Sequence, residues 1–409
     1  MKNLILIIQL SIAVSISAQK LEIKGKIIDD ENKPLPFSHI STKKNIGTIS
    51  NSEGEFALVI PDPSSNDSII ISYVGYKKLK ISLNSLKRNS LNIFKLEQEI
   101  ITLNEVVVRP FYAESLIDSI LKYRLVNYTT SAFQTTSFYR EIGMLDSSYL
   151  GFDEGVFKIL NPGYDKSTEK ILLKLEKGRK LKKIGDKEVN NPFNETIKGI
   201  PFALLENDIA HSPWFFDKKF RKKHDFKIVG NTIVDNDEAY IVAFDQKENL
   251  KEAMYNGKIV ISKNTYAIIS FDLRLSPKGI KYAKPDIPAI ERPFLRLLGF
   301  TAKKLSEGLT LRYYKINGNW FLYYIKISTL HYVKIRSKKI EGNLLLQAEM
   351  LNSKFEGANY SEFKKEDLVT KKFSLQENNI KYDNDFWDEY NFIKPDSELI
   401  KIGTKLIKE

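Results

Sequence analysis

The chain has 409 residues, 42% of them hydrophobic and 28% charged, which excludes a mainly disordered protein and allows two or three domains. Lys and Arg number 63 against 51 Asp and Glu, a net charge of +12. No cysteine is present, which removes disulfides, thiolate zinc sites, iron–sulfur clusters, cysteine nucleophiles and a lipidated N-terminal cysteine.

Lys2 precedes an apolar run over residues 4–16, and Ser17-Ala18 follow it. A basic start, a short apolar stretch and a small-residue exit predict a secretory signal peptide over residues 1–18. The run is shorter than the roughly 20 residues a membrane-spanning helix needs. Export to the periplasm or outer membrane is the expectation. An exported chain rarely meets nucleic acid, so the positive charge points to anionic membrane surfaces or acidic polymers. Its densest clusters are residues 174–187 and 218–227, where interleaved apolar residues also fit a solvated strand or helix face.

Residues 19–108 alternate short β-like runs with turn signals at a spacing of about 8–12 residues, the pattern of a seven-stranded antiparallel sandwich. Five segments carry a resemblance: Gly25-Lys26-Ile27-Ile28-Asp29, Lys33-Pro34-Leu35-Pro36-Phe37, Gly47-Thr48, Ser52-Glu53-Gly54-Glu55-Phe56 and Ile71-Ser72-Tyr73-Val74-Gly75-Tyr76. They resemble the carboxypeptidase regulatory-like domain, which implies a transthyretin-like β-sandwich. In that resemblance Gly25, Pro34, Pro36, Gly47, Gly54, Phe56, Gly75 and Tyr76 are structural, so it implies a fold and no chemistry. Zinc carboxypeptidases bearing such domains use a His-x-x-Glu pair, and none of His39, His211, His224 and His331 has Glu three residues later. Leu103-Asn104-Glu105-Val106-Val107-Val108 resembles the stretch that joins this domain to the plug of TonB-dependent transporters of Bacteroidota-type bacteria. The remaining chain is too short for a plug and a 22-stranded barrel, at about 10 residues per strand.

Residues 109–130 read as a linker and helix, with Leu116, Ile117, Ile120 and Leu121 at helical spacing. Residues 131–409 read as one large antiparallel β domain. Ile269, Phe271, Leu273 and Leu275 alternate with Ser270, Asp272 and Arg274, giving one buried and one wet face. Asn317-Gly318 between two apolar runs predicts a tight hairpin. The proline-rich residues 277–292 read as an insertion or lid loop. The fold class is mainly β: a sandwich followed by a large curved, half-barrel-like sheet with a few helices. Phe138-Tyr139-Arg140-Glu141 and Asp385-Phe386-Trp387-Asp388-Glu389-Tyr390-Asn391 resemble segments of uncharacterised envelope proteins in which the same sandwich precedes a β domain. The hairpin series also resembles the half-barrels of lipoprotein carriers, which wrap around a helix and hold acyl chains.

Catalytic material is sparse. No two glycines stand two apart, so no G-x-G-x-x-G occurs, and no cofactor is expected. Asp235, Asp237 and Glu238 offer calcium-type oxygens without the glycine and closing glutamate of a dedicated loop, and read as a solvated turn. Asp383, Asp385, Asp388 and Glu389 surround Phe386 and Trp387 as an acidic packing segment. Tyr313, Tyr323 and Tyr332, in a tyrosine-rich hairpin, form the candidate ligand face, with core packing as the alternative. The expectation is a non-catalytic envelope protein whose partner is an apolar or lipid ligand or another envelope protein. The alternatives are a periplasmic lipid or lipoprotein carrier and a medium-sized outer-membrane barrel of about 12–14 strands.

Overall fold

The computed structural model describes residues 20–99, 110–182, 200–357 and 360–397, apart from 65, 89, 236, 286, 288, 289, 361, 372, 374, 376–383 and 389. The signal-peptide segment and residues 103–108 lie outside the described residues.

Two small sheets form the sandwich. β1 (Lys20–Ile28) lies between β4 (Glu55–Pro61) and β7 (Leu91–Lys95). The other sheet runs β3 (Gly47–Ile49), β2 (His39–Thr42), β5 (Ser68–Ser72), β6 (Leu79–Ser82). Ile23, Ile27, Ile40, Phe56, Ile69 and Phe94 fill the space between them. The motif residues hold this packing. Phe56 and Phe94 stack with centroids 5.7 Å apart, and a Cβ on Gly25 would overlap both rings. Gly54 takes φ +75°, a turn conformation that side chains resist. Pro34 bridges to Ile28, and Tyr76 leans on Tyr73 at 5.4 Å.

The second unit is a ten-stranded antiparallel sheet. Its strands are β8 (Phe133–Leu145), β9 (Ser148–Asn161), β10 (Leu172–Lys182), β11 (His224–Val234), β12 (Asp237–Gln246), β13 (Tyr255–Ser262), β14 (Ile268–Leu275), β15 (Phe300–Ile316), β16 (Asn319–Ile335) and β17 (Ile340–Gly357). Their order is β10-β9-β8-β17-β16-β15-β14-β13-β12-β11, so every neighbour is also a chain neighbour except where β17 returns to β8. The Asn317-Gly318 hairpin forms as its residues require: φ is +48° and +91°, and Ile316 faces Asn319.

The sheet is open, which corrects the outer-membrane-barrel alternative. Among the described residues β10 and β11 are its end strands, touched only by single bridges or bonds from Leu368, Val369 and Gly75. The Lys-rich clusters fall there: Lys174, Lys177 and Lys180 on β10, Lys227 on β11, with α3 (Lys218–Arg221) leading into β11. Charge along an edge opposes pairing with further strands. Protein covers both faces as well, where a membrane barrel would present an apolar band to lipid.

One face is packed by α1 (Pro110–Asn127), α2 (Ile200–Glu206) and the segment after α2, through Leu116, Ile117, Ile120, Leu204 and Phe215. Asn127 and Tyr128 end α1 by bonding the start of β14: Asn127 Nδ2 donates to the Thr265 carbonyl at 2.7 Å and the Tyr128 hydroxyl to the Ile268 carbonyl at 2.9 Å. The opposite face carries the sandwich and a strap of residues 384–397. His39 sits between the rings of Tyr314 and Tyr323, at 4.1 and 4.5 Å. Gly75 N–H donates to the Ile233 carbonyl, and Lys78 pairs with Asp235 at 3.0 Å. The strap touches both units, with Thr48 donating to the Phe392 carbonyl and Arg140 to the Ile393 carbonyl. Among the described residues no helix is long and apolar enough to cross a membrane.

Candidate functional site

The strand period of two divides β8 into two chemistries. Phe138 and Arg140 point to the strap, Tyr139 and Glu141 to the helix-covered face. On the strap side Arg140 and Arg179 are buried around Glu154. Arg140 donates from Nε to Glu154 Oε1 at 2.9 Å and from Nη1 to Glu349 at 3.3 Å. Arg179 Nε reaches Glu154 Oε2 at 2.9 Å, and the Tyr324 hydroxyl donates to Glu349 at 2.8 Å. Among the described residues two guanidinium groups meet two carboxylates here, and Phe386 and Trp387 close the cluster over Arg179. The two motifs read from the sequence, 138–141 and 385–391, therefore meet in space at a sealed seam.

On the other side lies an apolar cavity of about 440 Å³. The register aligns its floor in rows: Ile327 faces Ala348, which faces Glu141, and Thr329 faces Leu346, then Gly143. The next row is His331 against Leu344. Phe300 and Ala302 of β15 extend the floor, Ala203 of α2 forms one wall, and Pro285 and Ile287 form another. The proline-rich segment read as a lid thus supplies two wall residues. Apolar walls with few polar groups, in a volume between about 300 and 1,000 Å³, are the character of small-molecule sites.

Among the described residues Glu141 is the acidic group in that lining. Burial in apolar surroundings pushes its carboxyl up to about 7, Asp153 adds to the rise, and the Tyr139 hydroxyl and Lys180 hold it back. The Tyr139 hydroxyl donates to Glu141 Oε2 at 2.7 Å. At neutral pH this carboxyl stands near half protonation, so it can donate or accept a hydrogen bond inside an apolar chamber.

Of the three tyrosines of the candidate ligand face, Tyr313 and Tyr323 both border a cleft of about 30 Å³ at the seam, and Tyr332 stands apart. Tyr313 is buried against Tyr128 and its hydroxyl donates to Asp208 Oδ1 at 2.6 Å. Tyr323 is buried at the seam against His39. Tyr332 is bonded to Glu341 at the far end of β16. The acidic turn is neutralised residue by residue: Asp235 pairs with Lys78, Asp237 with Lys315 at 3.5 Å and Glu238 with Lys263 at 2.8 Å. Asp388 meets Lys20 at 3.5 Å, while Asp383 and Glu389 lie outside the described residues. His211 bonds the Lys166 carbonyl, and His224 the Phe220 carbonyl. The cavity was not read from the sequence. Its only local signal is the alternation of Ile327, Thr329, His331 and Val333, which does not say what covers that face.

Residues 23–108 match the family model of the CarboxypepD_reg-like domain. That regulatory-like domain is the sandwich, and its matched segment ends before α1. No curated protein matches the chain. Solved structures that resemble it include a DUF1329 family protein from Desulfovibrio piger, at 10% identity and TM-score 0.24, covering 61% of this chain and 95% of that one. A LolA superfamily protein from Nitrosomonas europaea stands at 10% identity and TM-score 0.22, covering 58% and 92%. The MucA/MucB complex from Pseudomonas aeruginosa contributes a chain at 8% identity and TM-score 0.17, covering 60% and 99%.

Proposed function

We propose that this chain is a non-catalytic binding protein of the bacterial cell envelope that carries an apolar, lipid-like ligand. The observation that supports this is the cavity of about 440 Å³ on the helix-covered face of the large sheet. Its aliphatic rows suit an acyl chain, and Glu141 suits the polar end of the same molecule, as hydrogen-bond acceptor or donor. The regulatory-like domain serves as a docking platform on the opposite face, strapped in place by residues 384–397. Export to the periplasm, with association to the outer membrane, belongs to the same reading and rests on the N-terminal sequence pattern.

The test is a plugged cavity. Ala348→Phe fills the floor between Ile327 and Glu141. The wild-type chain is expected to enhance the emission of the apolar dye N-phenylnaphthylamine and to lose it to added fatty acid. The plugged variant is expected to do neither while keeping its far-UV circular dichroism. Dye binding unchanged by the plug would overturn the reading.

A further inference from the structure

Helix α4 (Glu291–Leu297) buries none of its residues. Ile290, Phe294, Leu297 and Leu298 are 87, 62, 84 and 55% exposed. Their spacing of four, three and one places them on one helical face, the apolar stripe that would normally pack on a core. Here the stripe faces solvent.

Cations surround it. Arg292 and Arg296 lie on the helix, Lys303 on the adjoining strand, and Arg336, Lys338 and Lys339 in the turn between β16 and β17. The turn sits at the helix end, because the Arg336 N–H donates to the Gly299 carbonyl at 3.1 Å and Phe300 pairs with Ile335. Among the described residues the acids nearest to it are Glu291 on the helix, Glu341, which is bonded to Lys334 and Tyr332, and Asp146, which accepts the Asn343 N–H.

The helix is also tied to the cavity wall. Arg292 Nε donates to the Ile287 carbonyl at 2.9 Å and Nη2 to the Pro285 carbonyl at 3.3 Å. Pro285, Ile287 and Phe300 all line the cavity. An apolar wedge ringed by basic side chains has the composition of an interfacial helix, whose apolar face enters the acyl boundary while cations meet anionic head groups.

We propose that α4 docks the protein on an anionic bilayer surface, with Ile290, Phe294, Leu297 and Leu298 entering the lipid and Arg296, Arg336 and Lys339 meeting its phosphates. The cavity wall is thereby held against the membrane. Docking requires neither a ligand nor an open cavity, so it survives Ala348→Phe and is judged separately from the carrier reading.

The absence of cysteine makes a site-specific test direct. The full chain carrying Leu297→Cys is labelled with a nitrobenzoxadiazole dye, which brightens on leaving water. It is mixed with vesicles of phosphatidylglycerol and phosphatidylcholine at 3:7, or of phosphatidylcholine alone. A second label at Val126→Cys, on the exposed side of α1, reports any docking by another surface. At least a threefold rise at 297 with anionic vesicles, a far smaller one with neutral vesicles and none at 126 is the expected result. Arg296→Glu with Lys339→Glu should raise the lipid concentration for half-maximal signal at least tenfold, with circular dichroism unchanged. Emission at 297 indifferent to vesicles would overturn the proposal. So would a rise without vesicles that grows with protein concentration, since the occupant would then be a second copy of the chain.

Discussion

Asn391 engages both backbone groups of Val59: its Oδ1 accepts the Val59 N–H at 2.7 Å and its Nδ2 donates to the Val59 carbonyl at 2.9 Å. Val59 lies on β4, an edge strand of the sandwich. A side-chain amide thus takes the place of the next strand, and it belongs to the strap that also receives Arg140 from the large sheet. Asn391→Ala leaves a buried N–H and carbonyl without these partners. A loss of about 2 kcal/mol in urea unfolding at pH 7 is expected. An unchanged midpoint would mean that water replaces the amide.

The Arg140–Glu154–Arg179–Glu349 cluster is buried, so removing one charge matters more than losing any single bond. Arg140→Met removes the guanidinium that bonds both Glu154 and Glu349 and should cost about 3–5 kcal/mol. Arg140→Lys should recover less than half of that, because an ammonium cannot span Glu154 and Glu349 from one planar group. Denaturant midpoints of the three proteins decide it.

His39 makes the seam acid-sensitive. Burial, with Lys78 adding to it, lowers its imidazole to about 3. The unfolded chain therefore binds a proton below about pH 6.5 that the folded chain refuses, and stability falls as pH drops from 6.5 towards 3. A loss of about 3 kcal/mol at pH 4 relative to pH 7 is expected from this group. His39→Phe keeps a ring between Tyr314 and Tyr323 and should remove that component; an equal acid loss in the variant would refute the assignment.

Glu141 works in the other direction. Its folded-state value near 7 lies above its ordinary 4.5, so the folded chain holds the extra proton. Stability is full below pH 4.5 and declines as pH rises through 7, by up to about 3 kcal/mol. Glu141→Gln should flatten the profile between pH 5 and 8. Binding of an uncharged apolar dye should weaken from pH 6 to pH 8 in the wild type and stay level in the variant.

Gly25 gives a test of the sandwich motif. A methyl group there meets the stacked rings of Phe56 and Phe94. Gly25→Ala should destabilise by about 1–3 kcal/mol through overpacking, seen as a lower thermal midpoint.

Local signals were readable where local chemistry decides. Asn317-Gly318 specifies a turn with two positive φ angles whatever surrounds it, and the sandwich motifs mark turns and ring contacts of the same kind. The alternation of Ile269, Phe271, Leu273 and Leu275 likewise marks a buried face. The cavity depends on register between distant strands. Glu141 joins Ile327 and Ala348 only because β8 pairs with β17, and nothing near residue 141 announces that partner. The tyrosines show the same limit. Alternation says that neighbouring residues on a strand part company, but what covers each face is set by α1, the sandwich and the strap. Residues 138–141 and 385–391 stood out as motifs, while their meeting across Arg179 and Trp387 is a tertiary fact.

The route of the chain through the sheet also sets an order of assembly. The sandwich is complete once residue 96 has left the ribosome, and β8 to β10 can pair among themselves soon after. The exposed side of β8 must then wait for β17, through all the synthesis of β11 to β16. The seam waits longer still, for Trp387, Asn391 and Ile393. Until β17 arrives the β8 edge is unpaired, and until the strap arrives Arg140 and Arg179 lack the cover of Phe386 and Trp387. The hazardous interval for this protein lies late in its synthesis, when a holding chaperone would find the β8 edge as its target.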